Sequence, residues 1–151
     1  MTSLVRRFLK TAILFLCIGL ALGGWMIVER EFAGRVASPY LVSAHTHAIL
    51  VGFVMMMILG VALWMFPRPA KGDQRYSPRA ADAAYWLLTC GTAVRVAGEL
   101  LHSSSEATWL RWVVVLAGLS QIAGLLVFFA NMWTRIRGMG SKVREGGGER
   151  F

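Results

Sequence analysis

Four long apolar stretches, each reaching the ~20 residues that cross ~30 Å of hydrocarbon, leave this chain very few ways to fold. They run over about 8–28, 40–66, 80–102 and 108–133, joined by short charged or Gly/Pro-containing links. In lipid a backbone must satisfy its own hydrogen bonds, and no stretch alternates as a barrel strand does, so all four read as helices. With 56% apolar and 16% charged residues among 151, the composition is that of a membrane protein. The sequence predicts an all-α integral membrane four-helix bundle. It forms one domain over 1–137, followed by a flexible tail over 138–151 rich in Gly, Arg and Glu.

Orientation follows from the basic residues. Arg6, Arg7 and Lys10 precede the first helix, and Arg68, Lys71, Arg75 and Arg79 fill the loop between the second and third. Arg135, Arg137, Lys142, Arg144 and Arg150 follow the fourth, whereas only Arg30, Arg35 and Arg111 fall on the other side. Both termini are therefore expected in the cytoplasm, with the chain spanning a bacterial inner membrane. The formal charge of +8 expresses this topology and attraction to anionic headgroups. Basic residues scattered at membrane borders exclude nucleic acid as a partner. The start Val5-Arg6-Arg7-Phe8-Leu9-Lys10 is signal-like, but no small-residue cleavage site follows, so the first helix reads as retained. Cys17 and Cys90 fall mid-membrane on different helices and read as small packing residues.

Against this apolar background the three histidines stand out. His45 and His47 lie inside the second stretch and His102 closes the third. An imidazole is costly in hydrocarbon, so its presence there points to function. Ser38-Pro39 marks a helix start, which puts His45 about 9 Å down the second helix at 1.5 Å per residue. His102 ends the antiparallel third helix beside the polar Ser103-Ser104-Ser105-Glu106 turn. All three belong to one membrane level. Two opposed imidazoles at one level are what a six-coordinate haem iron requires.

His45 and His47 cannot share that task within one helix, because residues two apart point about 200° away from each other. This weakens a three-histidine copper or zinc site. His45 shares a stripe with Ile49, Gly52, Met56 and Gly60, along which a flat macrocycle or a partner helix could lie close. His45 is thus expected inward, opposite His102. His47 becomes a neighbour of the ligand, a ligand at a subunit interface, or a spare.

The run His45-Thr46-His47-Ala48-Ile49-Leu50-Val51-Gly52-Phe53 resembles the second transmembrane helix of the main subunit of haem-copper oxidases. It looks most like the C-type cytochrome c oxidases and the related nitric oxide reductases. The resemblance is close over nine residues and looser from Pro39 through Arg68. It implies that His45, matching the first histidine of that motif, binds low-spin haem b near the periplasmic face. His47 departs from the pattern, which has Asn or Ser there. The family's copper and high-spin haem ligands lie on later helices with no counterpart in this sequence, so the resemblance does not imply a complete oxidase or nitric oxide reductase.

Arg95, Glu99 and His102 fall on one face of the third helix. One reading is an Arg95–Glu99 pair that neutralises itself in the interior. The other sets Arg95, Arg111 or both against haem propionates, with Glu99 holding a histidine ring. Trp25, Trp109 and Trp112 read as interfacial anchors, and Met55, Met56 and Met57 as lipid-facing and packing residues. The sequence predicts a membrane-embedded haem b protein in electron transfer or redox or gas sensing, with His45 and His102 as ligands. Its partners would be a second copy, respiratory-complex subunits, quinol or a periplasmic electron carrier. A copper-binding membrane protein and a cofactor-free accessory or assembly subunit are the alternatives.

Overall fold

A computed structural model of the chain describes residues 3–67, 76–105 and 107–136, with the backbone alone at Thr134. The tail expected over 138–151, Glu106, and the basic residues Arg68, Lys71, Arg75, Arg137, Lys142, Arg144 and Arg150 lie outside the described residues.

Four long helices alternate in direction: α1 (Ser3–Ala33), α2 (Pro39–Met65), α3 (Pro78–His102) and α4 (Thr108–Met132), the last followed by a 3₁₀ turn over Trp133–Arg135. Among the described residues there is no strand. Two of the starts are set by the same local chemistry. Ser38 Oγ accepts the Leu41 N–H at 3.2 Å and Ser77 Oγ accepts the Ala80 N–H at 3.4 Å, each followed by a proline whose missing N–H costs nothing at that position. Gly34, at φ 62, ends α1 in the left-handed conformation that a glycine adopts without strain.

α1, α2 and α4 are each long and apolar enough to cross a membrane. α3 has the length but not the uniform apolarity expected of it, because Arg79, Asp82, Arg95 and Glu99 interrupt the run. Its position explains how this is tolerated. α3 packs along α4 on one side and α2 on the other, and Arg95 and Glu99 meet partners there, while Asp82 pairs with Arg7 of α1 and Arg79 is exposed in the first turn.

The second helix also differs from a plain α-helix. Its middle, Ala48–Met55, is π-helical, and the Met56 N–H still reaches back to Val51 O. A π turn is wider than an α turn and shifts the phase of the residues beyond it. It begins one residue after His47. At Gly52 within it the ring of Phe15 comes so close that a Cβ would lie 2.5 Å from Phe15 Cγ.

The apolar core fills the half of the bundle that holds the start of α1 and the end of α4. Phe8, Phe15, Met56, Leu59, Leu88, Phe128 and Met132 are buried there, with Phe8 edge-on to both Tyr85 and Phe128. The same end is tied by polar contacts. Arg7 pairs with Asp82, and Asn131 bonds both the N–H and the carbonyl of Ser77 at 2.7 and 3.0 Å. Arg135 donates to the carbonyls of Leu63, Phe66 and Pro67, satisfying acceptors that the C-terminus of α2 leaves open. Near the other end the apolar core shrinks to Ala44, Ala48 and Val96. The histidines lie in that half.

Met56, one of the three consecutive methionines, is fully buried, while Met55 and Met57 pack at the edge of the core. Trp25, Trp109 and Trp112 are exposed in the half of the bundle that holds the histidines, as interfacial anchors would be. Cys17 and Cys90 are exposed free thiols.

Candidate functional site

The stripe His45–Ile49–Gly52–Met56–Gly60 meets α1. Gly19 takes Ile49, Gly23 takes the ring of His45, Gly52 takes Phe15 and Gly60 takes Phe8 and Leu9. Of the two occupants the stripe could hold, a helix fills it from Ile49 to Gly60. The face of α2 that meets α3 is instead Tyr40, Ser43 and His47, spaced by three and four residues. The expected rotation, with His45 turned toward His102, is therefore corrected. The two histidines of α2 do point to opposite sides, but His47 faces α3 and His45 faces α1.

All three imidazoles share one feature. His45 Nδ1 lies 2.9 Å from Gly19 O, His47 Nδ1 2.8 Å from Ser43 O, and His102 Nδ1 2.8 Å from Ser105 O. A carbonyl only accepts, so each Nδ1 is the donor there, and Nε2 is the ring nitrogen left to coordinate. Metal-ligating histidines are commonly fixed in this way. His102 Nε2 is buried and has no hydrogen-bond partner. Its ring stacks on Tyr40, with centroids 4.0 Å apart and planes 18° from parallel.

Around His47 the interior is polar. Glu99, 2% exposed, accepts from Ser43 Oγ at 2.7 Å and from Arg95 Nε at 3.1 Å through Oε1. Its Oε2 stands 3.7 Å from His47 Nδ1 and is otherwise unpartnered. Arg95 Nη1 donates to Gln121 Oε1 at 3.2 Å, and Gln121 Nε2 donates to Thr92 Oγ1 at 3.0 Å. Gly118 makes this possible, since a Cβ there would lie 2.9 Å from Arg95 Nη1. The self-neutralising Arg95–Glu99 pair is thus the arrangement observed. Arg111 is exposed on α4.

On the other side of α2, His45 lines an open cleft of ≈ 710 Å³ between the last turns of α1 and the first turns of α2. Gly23, Gly24, Leu20 and Ile27 form its α1 wall and Arg30 stands with them. A cleft of this size is in the range of cofactor sites. The residues fit a haem singly: one imidazole with its lone pair free, an apolar wall made flat by two glycines, and one guanidinium for a carboxylate. Gly23, Gly24 and Arg30 were not singled out from the sequence as site residues. Only the contact of Gly23 with the His45 ring reveals them. Ser43 had a sequence signal, four residues before His47 on one helix face, and so did Gln121, a polar residue within an apolar run. Among the described residues no group of three or more His, Cys, Asp or Glu comes together as a metal site.

The fold and site define a polytopic helical membrane protein with its imidazoles held, lone pairs free, in one half of the bundle. More particularly, the chain belongs to the family of cytochrome c and quinol oxidase polypeptide I, whose model matches residues 3–144. The relationship therefore runs through all four helices and not only through the motif of the second. No match was found among curated proteins or solved structures.

Proposed function

We propose that this chain is a membrane-embedded haem b protein that holds its cofactor in the α1–α2 cleft, with His45 as axial ligand. The observation that carries the reading is the bond from His45 Nδ1 to the Gly19 carbonyl, which leaves Nε2 as the coordinating atom in a cleft walled by Gly23 and Gly24. Membership of an oxidase subunit family supports haem as the cofactor. Haem bound there supplies a one-electron redox centre. The chain's own residues orient the imidazole, exclude water with Leu20, Ile27 and Val42, and offer Arg30 to a propionate.

The role is electron transfer, or redox or gas sensing, beside a respiratory complex. The three histidines of this sequence are too few to ligate a low-spin haem, a high-spin haem and copper together. With both termini in the cytoplasm of a bacterial cell, the cleft opens toward the periplasmic side. A soluble periplasmic carrier or quinol in the outer leaflet would then be the exchange partner.

Optical spectroscopy of the detergent-purified protein tests this. Reduction should give the sharp α-band of low-spin haem b, and His45→Ala should remove it. A colourless preparation from haem-replete cells overturns the reading. Copper found in that preparation by elemental analysis would favour the copper alternative, and neither metal nor haem the cofactor-free subunit.

A further inference from the structure

We infer that two copies of this chain share one haem, each presenting His45 from its α1–α2 cleft to one face of the macrocycle. The inference rests on the haem reading above and goes beyond it in naming the second ligand.

A single chain offers one axial ligand at this cleft. Among the described residues His45 is the only imidazole in it. His47 lies on the far side of α2, 3.7 Å from Glu99. His102 does not line this cleft: it sits at the α2–α3 contact, buried and stacked on Tyr40. A six-coordinate haem needs a second axial ligand. The other lining residue with a ligand atom is Met26, which follows Gly23 by about one turn of α1. Gly23 touches the His45 ring, so Met26 stands beside that imidazole on the same wall and not across from it. The missing ligand therefore enters through the mouth.

The mouth suits a copy of itself. In a two-fold arrangement the same patch meets itself, so a site holding one half of a symmetric ligand set is completed by its own duplicate. Leu20, Ile27 and Val42 border the cleft with relative exposures of 62%, 58% and 46%. Small residues let membrane helices approach closely, and Gly23, Gly24 and Ala37 supply them here. A Cβ built on Gly24 would meet nothing within 4 Å, so this stretch of α1 is bare toward the mouth. A lipid chain would satisfy the apolar rim equally well but brings no ligand for iron. Only a second imidazole answers both needs.

The haem-to-chain ratio of the purified full chain, measured together with the mass of the coloured species, tests this. One haem per two chains, on a dimer whose oxidised spectrum is that of bis-imidazole haem, is the expected result. Mixed dimers of wild-type and His45→Ala chains, isolated with two different tags, should be high-spin. A Cβ at Gly24 meets nothing within 4 Å of its own chain, so Gly24→Leu should keep the helicity of the wild type while shifting the coloured species from dimer to monomer and losing dimeric haem at least tenfold. One haem per chain on a monomer overturns the inference and leaves the haem reading standing. A haem-loaded dimer unaffected by Gly24→Leu, or low-spin haem in the mixed dimers, also overturns it. A haem-free protein overturns both.

Discussion

Tyr40, in the first turn of α2, lies flat against His102, the last residue of α3, with ring centroids 4.0 Å apart. The contact joins the start of α2 to the end of α3, where little apolar core remains. A stacked aromatic pair contributes about 0.5–1.5 kcal/mol beyond its buried area. The buried, unpartnered Nε2 of His102 opposes this, since an unsatisfied buried group costs about 1–3 kcal/mol. His102→Phe keeps the stack and removes the orphan nitrogen, and the carbonyl of exposed Ser105, which loses its Nδ1 partner, can turn to water. It should melt at or above the wild-type temperature in detergent and retain the low-spin spectrum. Tyr40→Ala should melt lower. Loss of low-spin haem in His102→Phe would instead make His102 a ligand.

The Arg95–Glu99 pair sets up a second expectation. Removing one partner of a buried pair strands the other and costs about 3–5 kcal/mol, whereas replacing both with apolar residues is often neutral. Glu99→Gln should therefore destabilise strongly, because it removes the carboxylate charge that balances the Arg95 guanidinium and leaves only neutral amide acceptors around it. The double variant Arg95→Met, Glu99→Leu should recover most of that loss. Equilibrium unfolding in mixed micelles, compared across the three proteins, checks it. Equal losses in single and double variants would mean that the network does more than neutralise itself.

The bundle was legible in the sequence because length and apolarity dictate helices in lipid, and Ser38-Pro39 located the start of α2. The level of the histidines followed from counting residues along an axis. Rotation did not follow, for a physical reason. His45 and His47 lie on opposite sides of one helix, and which side meets α3 depends on where α1 finds room. Gly19 and Gly23 on α1 accept Ile49 and His45, so the small-residue face of α2 turns that way. The pattern within α2 marks a close-packing face without naming its partner. The π-helical middle of α2 also has no signature that a hydropathy pattern reveals.

Glycines on α1 and α2 should differ sharply when substituted. At Gly52 a Cβ would lie 2.6 Å from Phe15 Cβ, an atom anchored to the α1 backbone, so the helices must part. Overpacking of this kind costs about 1–3 kcal/mol. At Gly24 nothing lies within 4 Å, and alanine there gains up to about 1 kcal/mol of helix propensity. Gly52→Ala should lower the melting temperature of the haem-free protein and Gly24→Ala should hold or raise it. The opposite order would place α1 differently against α2.

The side of the membrane that the cleft faces can be read by labelling. The starts of α1 and α3 and the ends of α2 and α4 share one end of the bundle, tied by Arg7–Asp82, Asn131–Ser77 and Arg135 on the end of α2. Their sidedness is therefore common to all, and twelve of the sixteen basic residues sit there in the sequence. That bias predicts that this end faces the cytoplasm and the histidine end the periplasm. With Cys17 and Cys90 replaced, a cysteine at exposed Ser104 should react with a membrane-impermeant maleimide in cells with a permeabilised outer membrane. A cysteine at exposed Arg79 should react only after lysis. The reverse pattern would turn the cleft, Arg30 and His45 toward the cytoplasm and rule out a periplasmic electron carrier.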